Sequence, residues 1–144
     1  MANVSTYLNF NRNTEEAFLF YKSVFGTEFS YPIMRFKDGP GCPEGGQLSE
    51  ADANLVMHVT LPILGGHLLM GTDAPESMGM KLAQGNNVYI NLEPDTRAET
   101  DRLFSALATG GTVESALQDM FWGAYWGTLT DKFGVRWMFN CATK

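Results

Sequence analysis

The stretch Tyr7-Leu8-Asn9-Phe10 recurs near the middle of the chain as Tyr89-Ile90-Asn91-Leu92. A few residues after each copy stands a threonine, Thr14 or Thr96, which opens a run with apolar residues three and four apart. That spacing is typical of a helix with one buried face. A glycine follows each run, where glycine commonly ends a helix in the left-handed conformation. The repeat therefore predicts one strand–helix unit that is present twice.

Strand-like sequence follows each predicted helix. Three strands are predicted after each one, at 28–36, 54–61 and 67–72 in the first half and at 112–118, 124–130 and 135–140 in the second. The Gly/Pro-rich stretch 38–46 indicates a loop. We predict an α+β fold with two βαβββ modules, 1–75 and 86–144, in a single domain. Because a module of this size cannot bury its own apolar face, we expect the two to share one core.

The composition is that of an ordinary folded protein. Of 144 residues, 44% are hydrophobic and 18% are charged, and the formal net charge is −6. An acidic chain without a basic stripe is a poor match for nucleic acid, because such binding neutralises phosphates with clustered cations. The first residues lack the features of a signal peptide, and no run approaches the ~20 apolar residues of a membrane span. We expect a soluble cytoplasmic protein with neither a nucleic-acid nor a membrane partner.

Several blocks of sequence carry a family resemblance. They are 7–10 (YLNF), 17–26 (AFLFYKSVFG), 57–59 (MHV), 66–73 (GHLLMGTD), 85–88 (GNNV), 118–123 (QDMFWG) and 131–140 (DKFGVRWMFN). In these blocks the chain resembles the vicinal oxygen chelate superfamily, which has the glyoxalase/bleomycin-resistance/dioxygenase fold, and within it the PhnB-like branch. The resemblance spans nearly the whole chain. It implies curved mixed sheets around a ligand cavity and a homodimer.

Most enzymes of this superfamily hold a divalent metal, which acts as a Lewis acid on vicinal oxygens of the substrate. The resemblance implies metal ligands at the positions of Thr6, Met70, Val88 and Met138. None of these residues offers a carboxylate or an imidazole, and three of them are apolar. We therefore expect no family metal and no other cofactor. This argues against glyoxalase, extradiol dioxygenase and metal-dependent fosfomycin-modifying activity.

The hairpin around Gly65-Gly66 decides how we interpret the two histidines. A two-residue turn places His58 opposite Asp73. It also places His67 opposite Leu64, and we expect His67 to be exposed. A His–Asp pair can orient an imidazole as a general base, but it can also be a structural cross-strand contact. Alternation places His58 on the face opposite Met70, and because the resemblance implies that the Met70 position lies inside the cavity, we expect His58 to point toward the helix. We therefore interpret the pair as structural and keep His58 and Asp73 only as catalytic candidates.

An apolar and aromatic surface is the better candidate for a binding site. Aromatic side chains offer stacking faces, and methionines adapt to irregular ligands. The predicted pocket lining is Met57, Met70, Trp122, Tyr125, Trp126, Met138 and Asn140. Gln118 and Arg136 are further polar groups that can orient a ligand, whereas Trp137 and Phe139 are predicted to pack under a helix. The aromatic block is equally compatible with a core or a dimer interface.

Three functional hypotheses follow. The first is a homodimeric, metal-independent PhnB-like protein that binds a small organic molecule in an apolar cavity. The second is a lyase or oxygenase that uses His58 with Asp73, or a metal at a displaced site. The third is a drug-sequestering protein of the bleomycin-resistance type, because an acidic chain suits a cationic drug.

Two other chemistries find no support in the sequence pattern. The chain shows no strand–glycine-rich turn–helix unit that would hold a methyl-donor nucleotide, although relatives in this branch are often called methyltransferases. Neither Cys42 nor Cys141 has a base placed by spacing that would make it a nucleophile.

Overall fold

The chain folds into two units, each built on one four-stranded sheet. The structure is a computed structural model that describes residues 2–39 and 49–142. The units are Met1–Ala83 and Gln84–Lys144. The predicted α+β class with the strand–helix–three-strand order in both halves is confirmed. The shared core and the module boundaries 1–75 and 86–144 stay predictions.

The first unit places a mixed sheet beside one long helix. Its elements are β1 (Thr6–Phe10), α1 (Thr14–Phe25), β2 (Met34–Arg35), α2 (Glu50–Ala53), β3 (Val56–Pro62) and β4 (Leu68–Asp73). Short 3₁₀ helices lie at Phe36–Asp38, Leu64–Gly66 and Glu76–Met78. The strand order is β1-β4-β3-β2, in which β1 runs parallel to β4 and the other neighbours are antiparallel.

Helix α1 covers one face of this sheet. Phe18 and Tyr21 on the helix are fully buried, and so are Leu61 and Leu69 on the strands. At Gly71 the helix lies so close that a Cβ would stand 2.5 Å from the ring of Phe18. Residues of β3 and β4 that share a face with Gly71 therefore point toward α1, and their neighbours along each strand point away.

The second unit repeats this arrangement. Its elements are β5 (Ile90–Leu92), α3 (Arg97–Ala108), β6 (Thr112–Asp119), β7 (Tyr125–Thr130) and β8 (Arg136–Cys141), in the sheet order β5-β8-β7-β6. Trp137 and Phe139 are fully buried, and the ring of Phe139 lies 5.5 Å from that of Phe104 on α3. Phe139 packs against α3 as predicted, and Trp137, two residues earlier on β8, points to the same face.

The two helices begin and end by related but different means. Thr96 is the N-cap of α3 and accepts a hydrogen bond from the N–H of Glu99 at 3.1 Å, whereas Thr14 is the first residue of α1. Gly26 ends α1 with φ of 66°, and Gly110 follows α3 with φ of 76°. Both glycines adopt the left-handed conformation that the repeat predicts.

Each unit also buries an aspartate that accepts hydrogen bonds from uncharged donors. Asp73 is 3% exposed and accepts hydrogen bonds from Thr14 and from the N–H of Val56. Asp131, also 3% exposed, accepts from backbone N–H groups of its own hairpin and from the indole of Trp137. Both carboxylates join separate segments of the chain.

Two expectations for the first unit were wrong. The predicted strand 28–36 is a strand only at Met34–Arg35, and α2 was not predicted. Helix α2 is a single turn in which the Ser49 hydroxyl accepts from the N–H of Asp52 at 3.1 Å. A single turn is too short to show helical periodicity. Cys42 and most of the predicted loop 38–46 lie outside the described residues. Among the residues described, no helix has the length and apolarity needed to cross a membrane.

Candidate functional site

The face of the first sheet that points away from α1, which we call the first far face, collects polar and thioether side chains. It carries Tyr7, Asn9, His58, Thr60, Met70 and Thr72. Tyr7 and Thr60 both pair with Met70 in the sheet, so these three side chains are neighbours. The imidazole of His58 lies 2.8 Å from the hydroxyl of Thr60, which places it on the same face.

The structure contradicts the predicted pairing of His58 with Asp73. The β3–β4 connection is a three-residue 3₁₀ turn, Leu64–Gly66, and Val59 pairs with Gly71. This register differs by one residue from the predicted one, and a one-residue slip exchanges the two faces of a strand. Asp73 consequently lies on the α1 side, and His58 lies on the first far face rather than toward the helix.

The structure also places His67 and Met57 differently from the sequence-based predictions. His67 is half-buried rather than exposed, and its Nε2 lies 2.8 Å from the hydroxyl of Thr6. The sulfur of Met57 lies beside Gly39, where a Cβ would stand 2.8 Å from it. Met57 is two residues before Val59, which pairs with Gly71. Strand alternation therefore places Met57 on the face opposite Met70, and the predicted common wall of these two methionines is not formed.

The face of the second sheet that points away from α3 is the second far face. Because Phe139 packs against the helix, the residues that alternate with it on β8 point away. Sheet pairing then assigns to this face Ser115, Gln118, Trp126, Thr128, Met138 and Asn140. Three of the predicted pocket residues, Trp126, Met138 and Asn140, are thus brought together.

Asn140 carries an unusual polar atom on this face. Its side-chain oxygen is buried and has no hydrogen-bond partner among the described residues. A buried acceptor without a partner costs about 1–3 kcal/mol, and nearly all buried polar groups in proteins are paired. Asn140 lies directly opposite Trp126 in the β7–β8 pair, so the two side chains are neighbours on this face.

The β6–β7 turn adds further aromatic surface. It is closed by a hydrogen bond from the N–H of Met120 to the carbonyl of Ala124 at 2.8 Å. Phe121 at its tip is 96% exposed, and Trp122 is 51% exposed. The Trp122 and Trp126 rings meet edge to face at 6.2 Å between centroids. Trp122 therefore extends the aromatic surface beside Trp126.

Tyr125 does not belong to this surface, contrary to the prediction. Its hydroxyl donates to Asp101 of α3 at 2.6 Å, and the guanidinium of Arg97 lies 3.8 Å from its ring centroid. The hydrogen bond to Asp101 raises the pKa of Tyr125. Arg97 also binds Asp119 and lowers the pKa of that carboxyl. Tyr125 faces the helix because it alternates with Trp126 on β7.

Arg136 is a further polar residue of the second unit, as the sequence suggests. Its guanidinium donates to the carboxylate of Glu114 at 3.1 Å and also to Tyr89 and the carbonyl of Asn86. The guanidinium also stacks 4.0 Å from the centroid of the Tyr89 ring. These contacts hold the arginine in place and neutralise its charge within the unit.

The positions at which the resemblance implies metal ligands do not supply a suitable donor set. Met70 and Met138 present thioethers on the two far faces, Thr6 is bonded to His67, and Val88 is 69% exposed. Hard divalent metals prefer carboxylate, imidazole and water ligands. Within the described residues, no three His, Cys, Asp or Glu side chains form a candidate metal site. The residues present do not fit the superfamily metal.

Sequence comparison gives a match over nearly the whole chain. A family model described as 3-demethylubiquinone-9 3-methyltransferase matches residues 2–139. Protein YjdN of Escherichia coli K12 is 31% identical over 145 residues, which cover 95% of this chain and 93% of that protein.

Comparison with solved structures agrees. Protein PA1353 from Pseudomonas aeruginosa is similar with a TM-score of 0.83 and 33% identity, with 100% of both chains covered. A Bacillus cereus structure described as a PhnB protein gives a TM-score of 0.74 at 27% identity, covering 98% of this chain and 100% of that one. Solved structures described as glyoxalase/bleomycin resistance/dioxygenase proteins share the fold at lower identity. The chain therefore belongs to the PhnB-like family whose model is described as 3-demethylubiquinone-9 3-methyltransferase, and it has the glyoxalase/bleomycin-resistance fold.

Proposed function

We propose that this protein binds a small organic molecule on the second far face without using the divalent metal of the superfamily. The observation that carries the proposal is the buried oxygen of Asn140, which no described residue pairs. Because this oxygen is buried, a ligand reaches it only when the side chains that cover it move aside. A ligand that then donates an N–H or O–H to it removes the cost of leaving it unsatisfied. Nothing in this interaction requires a metal.

The neighbours of Asn140 supply the apolar part of such a site. Trp126 lies opposite Asn140 in the sheet, Met138 lies on the same face of β8, and Trp122 contacts the ring of Trp126. Small-molecule sites combine an apolar lining with a few placed polar groups, and aromatic faces favour flat ligands. The ligand class that suits this combination is a planar, largely apolar molecule with one hydrogen-bond donor.

The name of the matching family model refers to methyl transfer, which we do not include in the proposal. The described strands and helices follow the βαβββ order twice, and this order differs from the strand–glycine-rich turn–helix unit that holds nucleotides in doubly wound sheets. The proposal therefore rests on the chemistry of the second far face. The homodimer and the cytoplasmic location stay predictions.

Paired probes that differ only in the donor test the proposal. Phenol and indole each carry one donor, whereas anisole and N-methylindole have lost it. Calorimetric titration should show that the donors bind the protein more tightly than their methylated partners by roughly tenfold, equivalent to about 1.4 kcal/mol. Asn140→Leu should abolish this preference, and Asn11→Leu, at an exposed position of the first unit, should retain it. Equal affinity for both members of each pair in the unmodified protein would contradict the proposal.

A further inference from the structure

A second polar cluster lies on the first far face and does not depend on the Asn140 site. The imidazole of His58 stands between two hydroxyl groups. Its Nε2 lies 2.8 Å from Oγ1 of Thr60, and its Nδ1 lies 3.4 Å from the phenol oxygen of Tyr7. The Tyr7 and His58 rings lie 5.8 Å apart between centroids. The pairing of Tyr7 and Thr60 with Met70 brings these groups together.

Thr60 decides the direction of the hydrogen bonds. It is 4% exposed, so its hydroxyl proton needs an acceptor within the protein. The acceptor that the structure offers is Nε2 of His58. When Thr60 donates to Nε2, the proton of the neutral imidazole resides on Nδ1. Nδ1–H then points at the phenol oxygen of Tyr7, across a distance that is long for such a bond.

The phenol proton of Tyr7 is the last proton in this series of hydrogen bonds. Because its oxygen accepts from His58, its own proton can donate away from the cluster, and successive hydrogen bonds of this kind polarise one another. Tyr7 is 49% exposed, so this donor is accessible. Met34, which pairs with His58 and is 44% exposed, and Met70 provide apolar surface beside it.

The charged residues that flank the cluster along β2 and β4 are paired elsewhere. Arg35, the neighbour of Met34 on β2, binds Glu15 of α1 at 2.9 Å. Asp73, at the end of β4, lies on the α1 side with its oxygens bonded to Thr14 and Val56. The cluster therefore presents a neutral O–H donor, which suits an oxygen acceptor better than a cation.

We propose that the Tyr7 hydroxyl binds a carbonyl or carboxylate oxygen of a small molecule on the first far face. In this site His58 and Thr60 are positioning residues, since they orient the phenol and touch no ligand atom themselves. The site belongs to the first unit, so it is tested separately from the Asn140 site.

The imidazole tautomer is the first test. The chain has two histidines, so His67→Gln leaves His58 as the source of every imidazole signal. Nitrogen-15 NMR at mildly alkaline pH should show the proton on Nδ1 in the unmodified cluster, and Thr60→Val should remove that preference. A proton on Nε2 of His58 would overturn the proposal, because Tyr7 would then donate inward. This measurement needs no change at Tyr7 and stays decisive if a Tyr7 variant fails to fold.

Binding of simple acceptors is the second test. Millimolar benzoate and acetophenone should perturb the NMR signals of Tyr7 and His58, whereas benzylamine, which lacks an acceptor oxygen, should not. Tyr7→Phe should weaken binding of both acceptors at least fivefold, and Tyr31→Phe, at an exposed position, should leave it unchanged. Absence of any perturbation by the acceptors, or equal binding to Tyr7→Phe, would overturn the proposal.

Discussion

Thr14 donates two hydrogen bonds to one oxygen of Asp73, from its backbone N–H at 3.1 Å and from its hydroxyl at 2.7 Å. The other oxygen of this carboxylate accepts from the N–H of Val56 at 2.9 Å. Asp73 thus ties the start of α1 to the start of β3 and the end of β4. The role of this buried aspartate is to hold the first unit together, and it does not orient His58.

Removal of the Asp73 carboxylate should therefore destabilise the protein strongly. Asp73→Ala leaves three buried donors without their acceptor, and each unpaired buried group costs about 1–3 kcal/mol. We expect the free energy of unfolding to fall by about 3 kcal/mol or more in urea denaturation. Asp95→Ala, at an exposed position, is the control. A loss for Asp73→Ala no larger than that of the control would refute this role.

A side chain at position 71 should destabilise the protein while Phe18 is present. A Cβ there would stand 2.5 Å from the Phe18 ring, and overpacking of this kind typically costs about 1–3 kcal/mol. Gly71→Ala should lower the thermal midpoint, whereas Gly85→Ala, whose Cβ would meet its nearest neighbour at 3.5 Å, should not. Adding Phe18→Leu to Gly71→Ala should partly restore the thermal midpoint that Gly71→Ala loses. If the losses in thermal midpoint of the two single variants simply add in the double variant, Phe18 and a side chain at position 71 do not clash.

The Glu15–Arg35 ion pair predicts a specific pH dependence. Its hydrogen bonds lower the pKa of Glu15, so the pair contributes stability above the unfolded pKa of about 4.3 and loses it as pH falls through the folded value. Because the Glu15 side chain is 43% exposed, screening keeps the contribution below about 1 kcal/mol.

Denaturation of the unmodified protein and of Glu15→Gln should therefore differ at neutral pH and converge in acid. Glu16→Gln, the adjacent exposed position, serves as the control. A stability difference for Glu15→Gln that stays constant with pH would mean that the ion pair is not its cause.

Tyr125 should ionise at a higher pH than it would without its neighbour on α3. Its hydroxyl donates to Asp101 at 2.6 Å, and this hydrogen bond raises the pKa of Tyr125. In a pH titration followed by NMR, Asp101→Asn should shift the ionisation of Tyr125 to lower pH. An unchanged titration would argue that Tyr125 does not face α3 and would reopen its assignment to the ligand surface.

Much of the fold could be predicted because it depends on local patterns that occur twice. The repeat of Tyr7–Phe10 at Tyr89–Leu92, followed each time by a helical pattern, predicts the correct order of the strands and the long helix in both units. The alternation of Trp137, Met138 and Phe139 also separated the helix-covered face from the far face correctly.

The predictions that were wrong or missing concern strand register and burial, which local sequence patterns do not determine. The length of the β3–β4 turn differs by one residue from the predicted one, and this alone moved His58 to the other face. The density of aromatic residues suggests that Tyr125 and Trp126 line one surface, although adjacent residues on a strand face opposite ways. The unpaired oxygen of Asn140 depends on its burial in the folded unit, which the sequence does not encode in any spacing.

The most direct test of the central claim is a crystal structure of the protein with indole bound. The account predicts indole on the second far face, with its N–H within hydrogen-bond distance of the Asn140 side-chain oxygen and its ring against Trp126 or Met138. Indole bound elsewhere, with the Asn140 oxygen paired to a protein group, would contradict the claim that this face is the ligand site.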